Sequence, residues 1–244
     1  TYLQGIIASS EKNGVKVSLI PFYNKFMPSR PAIDEIGDVS LVNLRHIPLD
    51  NIGNAFLKRA MDIIGSLILI ICTSPLMLFA AVGVKLSSPG PILFRQERVG
   101  LNKKPFYMYK FRSMRVNDRQ TTGWSTNSDP RKTKFGSFIR KFSIDELPQF
   151  FNVLKGDMSL VGPRPELPFF VNRFKESIPL YMVKHQVRPG ITGWAQVNGF
   201  RGDTSIQGRI EHDIYYIENW TLLFDIKILF MTVFKFSNNE TLGK

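Results

Sequence analysis

The sequence predicts an α+β fold that is mainly helical and attached to a membrane. Three observations predict it: an almost wholly apolar run from Ile63 to Leu86, two β-prone stretches flanking Gly100-Leu101-Asn102, and apolar residues at helical spacing after Glu146 and again from Trp220 to Phe236.

Residues 1–50 read as the tail of an upstream α/β domain plus a linker. Val15 to Ile20 alternates like a strand and stops at Pro21; Pro28, Pro31 and Gly37 then open a turn-rich run to Pro48. Residues 51–244 read as one further domain, with 63–86 as its membrane helix. That run carries one charge, Lys85. Such a helix is about 36 Å long, enough for a hydrocarbon core about 30 Å thick. A soluble core helix of that length usually keeps a polar face.

Ser74-Pro75 sits at the centre of the run. An interior proline removes one backbone hydrogen bond and kinks a helix. Each half then reaches about 18 Å, roughly half the core depth. Lys58-Arg59 precede the run, and Lys85, Arg95 and Arg98 follow it. Both flanks therefore carry the charge that prefers the cytoplasmic side. Two arrangements fit: a kinked span, or a helix that breaks at Ser74-Pro75 and returns to the same face. In the second, the serine bonds a carbonyl that the proline frees.

Ser88-Pro89-Gly90-Pro91 makes a stiff turn. Ile92-Leu93-Phe94 and Phe106 to Phe111 then form a hairpin around Gly100-Leu101-Asn102, and Thr121 to Lys134 is a polar loop. Leu147, Phe150, Phe151 and Leu154 run i, i+3, i+4, i+7, which predicts a helix from about Glu146 to Lys155, ended by Gly156. Trp220 to Phe236 is apolar with Asp225, Lys227 and Lys235 interspersed. It fits a membrane-interface helix or a packed amphipathic one.

The 244 residues carry a net charge of +12 and one cysteine, Cys72. A disulfide framework and a Cys-rich metal site are excluded. Between Lys85 and Lys141, 14 Lys or Arg stand against three acids, Glu97, Asp118 and Asp129, so +11 of the excess sits in one stretch. Such a field attracts phosphate, whether in nucleic acid, anionic lipid or a phosphorylated substrate, or it is a solvated surface. Thr1 is the first residue, as expected of a processed chain or a piece of a longer one; Thr1 to Ser10 lacks the pattern of a signal peptide.

The chemistry concentrates between Arg140 and Pro165. Pro148 belongs in the first turn of a helix, so the helix starts near Asp145 or Glu146, with Asp145 at or beside the N-cap. Capping and dipole attraction alone account for an acid pair there. The same geometry would also hold a carboxylate in its charged, nucleophilic form and favour bound phosphate. An aspartate ionised at neutral pH needs no separate base, and Glu146 beside it could hold Mg²⁺, which takes one or two carboxylates plus phosphate oxygens. Arg140, and Arg164 fixed between Pro163 and Pro165, supply bidentate phosphate donors. Lys110 and Arg112 form a second basic cluster at a strand end. Each of these basic residues alone also fits a surface salt bridge. His46, His185 and His212 form no ligand spacing, and no P-loop, HExxH or CxxC is present.

Lys58-Arg59…Asp62, Ser74-Pro75, SPGPILFRQERVG, KPFYMYKFRSM, RKFSIDELPQFFNVLKGDMSLVGPRPE and RPGITGWAQVNGFRGD follow in order. Together they resemble the catalytic domain of the bacterial monotopic phosphoglycosyl transferases, the polyprenyl-phosphate sugar-1-phosphate transferases, from about residue 55 to the end. Residues 1–50 resemble the tail of the extra α/β domain in the long-form members. The resemblance implies transfer of a phospho-sugar from a UDP-sugar to undecaprenyl phosphate, with release of UMP, as the first membrane step of exopolysaccharide, capsule or O-antigen synthesis. It implies that Asp145 is the nucleophile of a covalent aspartyl phospho-sugar and that Glu146, with Asp145, binds Mg²⁺.

By the same resemblance, Arg140 and Arg164 bind phosphate, Lys58-Arg59 stand where the chain meets the membrane, and Ser74-Pro75 is the break of a re-entrant helix on the cytoplasmic face of the inner membrane. The expected fold becomes α+β, mainly helical, with an N-terminal re-entrant membrane helix, a small β-hairpin and interfacial amphipathic helices. The partners implied are UDP-sugar, undecaprenyl phosphate and membrane lipid, with a homodimer as an option and no nucleic acid. Gly202 to Ser205 and Tyr215 to Trp220 look most like members that use UDP-glucose or UDP-galactose. Two rivals make different predictions: a non-enzymatic basic membrane protein that binds anionic lipid or nucleic acid, and an enzyme that transfers directly in a ternary complex.

Overall fold

A computed structural model of the chain describes residues 9, 32–36, 39–43, 47–115, 131–200, 202 and 204–237. The strand expected at Val15 to Ile20 and most of the loop expected at Thr121 to Lys134 lie outside these. The chain divides into two units, residues 1–46 and 47–244. In the first, β1 (Ala32–Ile36) pairs antiparallel with β2 (Val39–Asn43), Ile36 facing Val39. The sequence predicts a turn-rich run here; Gly37-Asp38 between two short β-prone runs is the hairpin signal it contains.

The second unit opens with α1 (Ile52–Ser87). It starts earlier than the apolar run because Asn51 caps it, its side chain accepting from Gly53 N at 2.9 Å and Asn54 N at 3.3 Å. α1 continues through Pro75 as a single helical element. Pro75 has no N–H for the carbonyl of Ile71, and the Ser74 hydroxyl donates to that carbonyl at 2.8 Å. The expected compensation by serine is present, and it lets the helix pass the proline without leaving helical conformation.

Both ends of α1 are buried in the rest of the unit, while its middle is only partly covered, Leu69 and Ile70 packing against the core. Lys58, Asp62 and Ser66 are buried toward the N-terminus, and Met77, Ala80 and Val84 toward the C-terminus. Gly65 lets Leu160 approach, and Gly83 does the same for the Phe135 ring. Between Ser66 and Met77 no residue is buried, and Ile64, Leu67, Ile68, Ile71, Leu78 and Phe79 are exposed apolar side chains.

β3 (Leu93–Val99) and β4 (Pro105–Phe111) form the expected hairpin, longer than predicted. α2 (Lys134–Lys141) follows, capped by Thr133. The single helix expected from Glu146 is instead a 3₁₀ turn, Ile144–Glu146, followed by α3 (Gln149–Lys155). Pro148 is the cap residue of α3 rather than a member of its first turn. The C-terminal end matches the prediction: Gly156 closes α3 at φ 97°, a left-handed conformation that favours glycine.

β5 (Ser159–Val161) and β6 (Gly190–Thr192) pair in parallel, an arrangement the sequence reading did not foresee. The crossover between them holds α4 (Pro168–Ser177) and a 3₁₀ turn, Tyr181–Gln186. The short α5 (Trp194–Val197), α6 (Ile206–Glu218) and α7 (Leu222–Ser237) complete the unit. On α7, Asp225 and Ile228 face the core while Leu223, Phe230, Val233 and Phe234 are exposed. Its outward face is thus largely apolar, with Lys227 as an exposed charge on it.

Candidate active site

The acid pair sits on a turn that several elements hold in place. Ser143 enters it at φ 54°, in the left-handed region, which swings the chain out of α2. Asn152 of α3 accepts from Tyr109 N at 2.9 Å and donates to Tyr107 O at 2.8 Å, fastening α3 to β4. Arg59 of α1 donates to Val153 O at 2.7 Å and Leu154 O at 2.8 Å, the last carbonyls of α3. β4 then delivers Lys110, whose Nζ lies 2.7 Å from Glu146 Oε1.

Asp145 is only 8% exposed. Burial, and then the charge of Glu146, push its carboxyl up to about 6, against the opposing pull of Lys110 and Arg140. This reverses the direction expected from a helix start. The first turn of α3 begins four residues later, and neither the 3₁₀ turn nor α3 is capped by a side chain. Asp145 is therefore not a helix cap. Its buried carboxylate lies within electrostatic reach of two cations and one acid.

The second wall comes from the segment after β5. Gly162 N donates to Thr192 O at 2.8 Å, and Gly190 N to Pro163 O at 2.9 Å. A Cβ on Gly190 would fall 2.1 Å from Gly162 N, so the two glycines allow a backbone crossing no other residue permits. Arg164 leaves this crossing between buried Pro163 and Pro165. Arg98 of β3 donates to Pro165 O at 3.1 Å, and Val99 N to Glu166 O at 3.0 Å. A small cavity is lined by Arg98, Lys110, Glu146, Gln149 and Arg164, with Met108 and Gly190 beneath.

Gln149 and Glu166 were not singled out from the sequence, and Arg98 was named only as a charge flanking the apolar run. Arg98 and Arg164 are close enough to repel: burial first, then the charge of Arg164, lower Arg98 to about 10. Glu166 accepts from Arg209 Nη1 at 2.9 Å, and Lys184, itself buried, stands 3.9 Å away. Lys184, Arg209 and the two arginines hold the Glu166 carboxyl below its usual range despite burial. The only hint in sequence was the density of charge in RQERVG and PRPE.

Three expected basic residues are occupied elsewhere. Arg112 is buried and donates to Ser88 O at 2.6 Å and Pro89 O at 2.7 Å, clamping the turn that follows α1 rather than facing the acid pair. Lys58 is buried, its Nζ 2.6 Å from Asp225 Oδ2 and 2.9 Å from Val161 O, so it meets no lipid headgroup. Arg59 is committed to α3 as described. Both fix α1 to the unit from within. His185 is buried, and burial together with Lys184 lowers it to about 4. His212 bonds Gly208 O at 2.8 Å. Both are structural, as expected.

The donor set fits Mg²⁺. Two adjacent carboxylates together with phosphate oxygens are what that ion takes; Lys110 Nζ lies 2.7 Å from Glu146 Oε1, so the ion would share that carboxylate with an ammonium. Among the described residues, no group of three or more His, Cys, Asp or Glu converges. The protein would thus contribute Glu146 and Asp145 alone.

Comparison with known proteins gives a consistent picture. The family described as bacterial sugar transferase matches residues 53–239. The chain is 47% identical over 225 residues to the UDP-glucose:undecaprenyl-phosphate glucose-1-phosphate transferase of Escherichia coli (strain K12), covering 90% of this chain and 48% of that protein. It is 48% identical over 222 residues to the UDP-N-acetylgalactosamine-undecaprenyl-phosphate N-acetylgalactosaminephosphotransferase of Aeromonas hydrophila, covering 88% and 52% respectively. The exopolysaccharide production protein PSS of Rhizobium leguminosarum bv. phaseoli is 43% identical over 186 residues, 72% of this chain and 93% of that one. The chain spans about half the length of the first two relatives.

Proposed function

Because this chain belongs to the bacterial sugar transferase family, we propose that it transfers a sugar 1-phosphate from a UDP-sugar to undecaprenyl phosphate and releases UMP. The observation that carries the proposal is the buried Asp145 next to Glu146, set among Arg140, Lys110 and Arg164 in a unit whose longest helix is apolar and exposed along its middle.

The Asp145 carboxylate attacks the sugar-bearing phosphorus. One Asp145 oxygen–phosphorus bond forms, the bond to the bridging oxygen breaks, and UMP leaves with the electron pair. The lipid phosphate then attacks the same phosphorus and frees Asp145. Arg140, Arg164 and Lys110 offset the repulsion between anions in both steps. Mg²⁺, held by Glu146 and Asp145, would supply further neutralisation of phosphate oxygens. Incubation with UDP-sugar alone, followed by mass spectrometry, is expected to find a phospho-sugar on the peptide carrying Asp145. Full turnover with acceptor but no such adduct would mean direct transfer. The named relatives use two different sugars at nearly equal identity, so UDP-glucose, favoured here, is tested by UMP release over a panel of UDP-sugars.

The site meets its lipid at the inner membrane, on the cytoplasmic face, with α1 re-entrant. The spacing of anchors supports this. Ser66 and Met77 are 11 residues apart, about 17 Å of helix, and a hydrocarbon core of about 30 Å does not fit between them. With Cys72→Ser as background, single cysteines at the exposed positions Leu57 and Leu86 are expected to react with an impermeant reagent from the same side. Labels on opposite faces would make α1 a span.

A further inference from the structure

We propose that Glu166 is a positioning residue: it is the shared counter-charge that holds the Arg164 guanidinium at the wall facing the acid pair. This rests on the reaction proposed above and adds to its machinery a residue that touches no reacting atom.

Backbone bonds fix the segment on both sides of Arg164. Gly190 N donates to Pro163 O at 2.9 Å, Arg98 Nη1 to Pro165 O at 3.1 Å and Val99 N to Glu166 O at 3.0 Å. Pro165 keeps the residue before it extended. In extended chain, side chains two residues apart leave on the same side. Glu166 thus shares a side with Arg164, and the two charges act on each other. Among the described residues no hydrogen bond fixes the Arg164 guanidinium, so charge sets where it rests.

Four cations act on the Glu166 carboxylate: Lys184, Arg209, Arg164 and Arg98. Two of them hold it from other elements. Arg209 of α6 donates to Oε1 at 2.9 Å, and Lys184 stands 3.9 Å away. Arg209 is itself fixed, its Nη2 donating to Gly202 O at 2.6 Å. Lys184 also faces Asp213 at 3.4 Å, but burial pushes the Asp213 carboxyl toward its neutral form. Glu166 is therefore the anion that the four share. Arg98 and Arg164 repel each other, and in a site partly cut off from water that repulsion is weakly screened. Without the carboxylate, Arg164 moves off. A guanidinium aimed at the transferring phosphoryl group acts on charge that develops in the reaction, so its misplacement costs turnover more than substrate binding.

The test is a double-mutant cycle on the full chain in detergent. It reads UMP release from the UDP-sugar that the parent turns over fastest, with a short-chain prenyl phosphate as acceptor. Glu166→Gln keeps an acceptor for Arg209 and removes the charge. It is expected to lower kcat about 10- to 100-fold and to change the KM for the UDP-sugar less than about threefold. Glu166→Asp keeps the charge on a shorter stem and should recover part of kcat. Arg164→Met is expected to lose about 10²- to 10³-fold, and adding Glu166→Gln to it should cost less than about threefold more. A glutamate that serves only the fold would lower both backgrounds by the same factor. That outcome overturns the proposal, as does wild-type kcat in Glu166→Gln or in Arg164→Met. If Glu166→Gln does not fold, Glu166→Gln with Lys184→Met removes one charge of each sign and takes its place in the cycle. A parent chain that releases no UMP from any UDP-sugar overturns the underlying reaction as well.

Discussion

Asp145→Asn is expected to lower UMP release by at least about 10³-fold, because an amide is no nucleophile at phosphorus and no other carboxylate can take its place. Glu146 is paired with Lys110 at 2.7 Å. The variant should fold as well as the parent. In the folded chain the Asp145 carboxyl sits at about 6, above its ordinary value of 3.8, so its charged form is disfavoured by burial and by Glu146. A neutral residue of the same shape escapes that cost, and the melting temperature should hold or rise. The same raised value sets the acid limb of the pH profile. Below about pH 6 Asp145 is protonated and inactive, so formation of the adduct should fall about tenfold per pH unit, and it should level off above. Lys110→Met removes a charge that lowers Asp145, and should move that limb to higher pH. Wild-type UMP release by Asp145→Asn would sink the covalent mechanism and favour direct transfer in a ternary complex, whereas no UMP release by the parent chain from any UDP-sugar would favour the reading as a non-enzymatic anion-binding protein.

The second large effect falls on stability. Lys58→Met is expected to destabilise the protein by about 3–5 kcal/mol, or roughly 6–20 °C in melting temperature. Lys58 Nζ is the cation in a buried polar cluster. It lies 2.6 Å from Asp225 Oδ2 and 3.8 Å from Asp62 Oδ1. Asp225 also accepts from Tyr216 OH at 2.8 Å and Trp220 Nε1 at 3.0 Å, and Asp62 from Ser159 Oγ at 2.9 Å and Leu160 N at 3.0 Å. One lysine thus joins α1, β5, α6 and α7, and its removal leaves buried carboxylates without a counter-charge. Asp225→Asn added to Lys58→Met should recover part of the loss, because it removes one of those charges. A Lys58→Met protein that melts like the parent would overturn this fastening role.

Those two residues show where sequence reading reaches and where it stops. Asp145-Glu146 could be found because an acid pair, flanking arginines and a rigid Pro-Arg-Pro are local features, and the ordered motifs carried the family. The same is true of Ser74-Pro75, whose compensating hydrogen bond spans three residues. Lys58 could not be read correctly, since its partner Asp225 lies 167 positions away and nothing between them signals the contact. The place of Arg98 in the site was missed for the same reason: its tie to Pro165 crosses 67 positions. Arg112 was misplaced because an arginine after a strand looks the same whether its acceptors are phosphates or the carbonyls of Ser88 and Pro89.

Local features carry the chemistry on offer: an apolar helix interrupted by proline, a concentrated positive field, and one acid pair between arginines. Those follow from composition and short-range spacing, which the chain carries before it folds. How each charge is used follows from the folded arrangement. It buried Lys58 and tied Arg59 to α3 as fasteners, moved Asp145 off the helix start and raised its carboxyl, and brought Arg98 beside Arg164. Charge and hydrogen bonding depend on which groups share a desolvated space, and that depends on contacts between residues far apart in sequence.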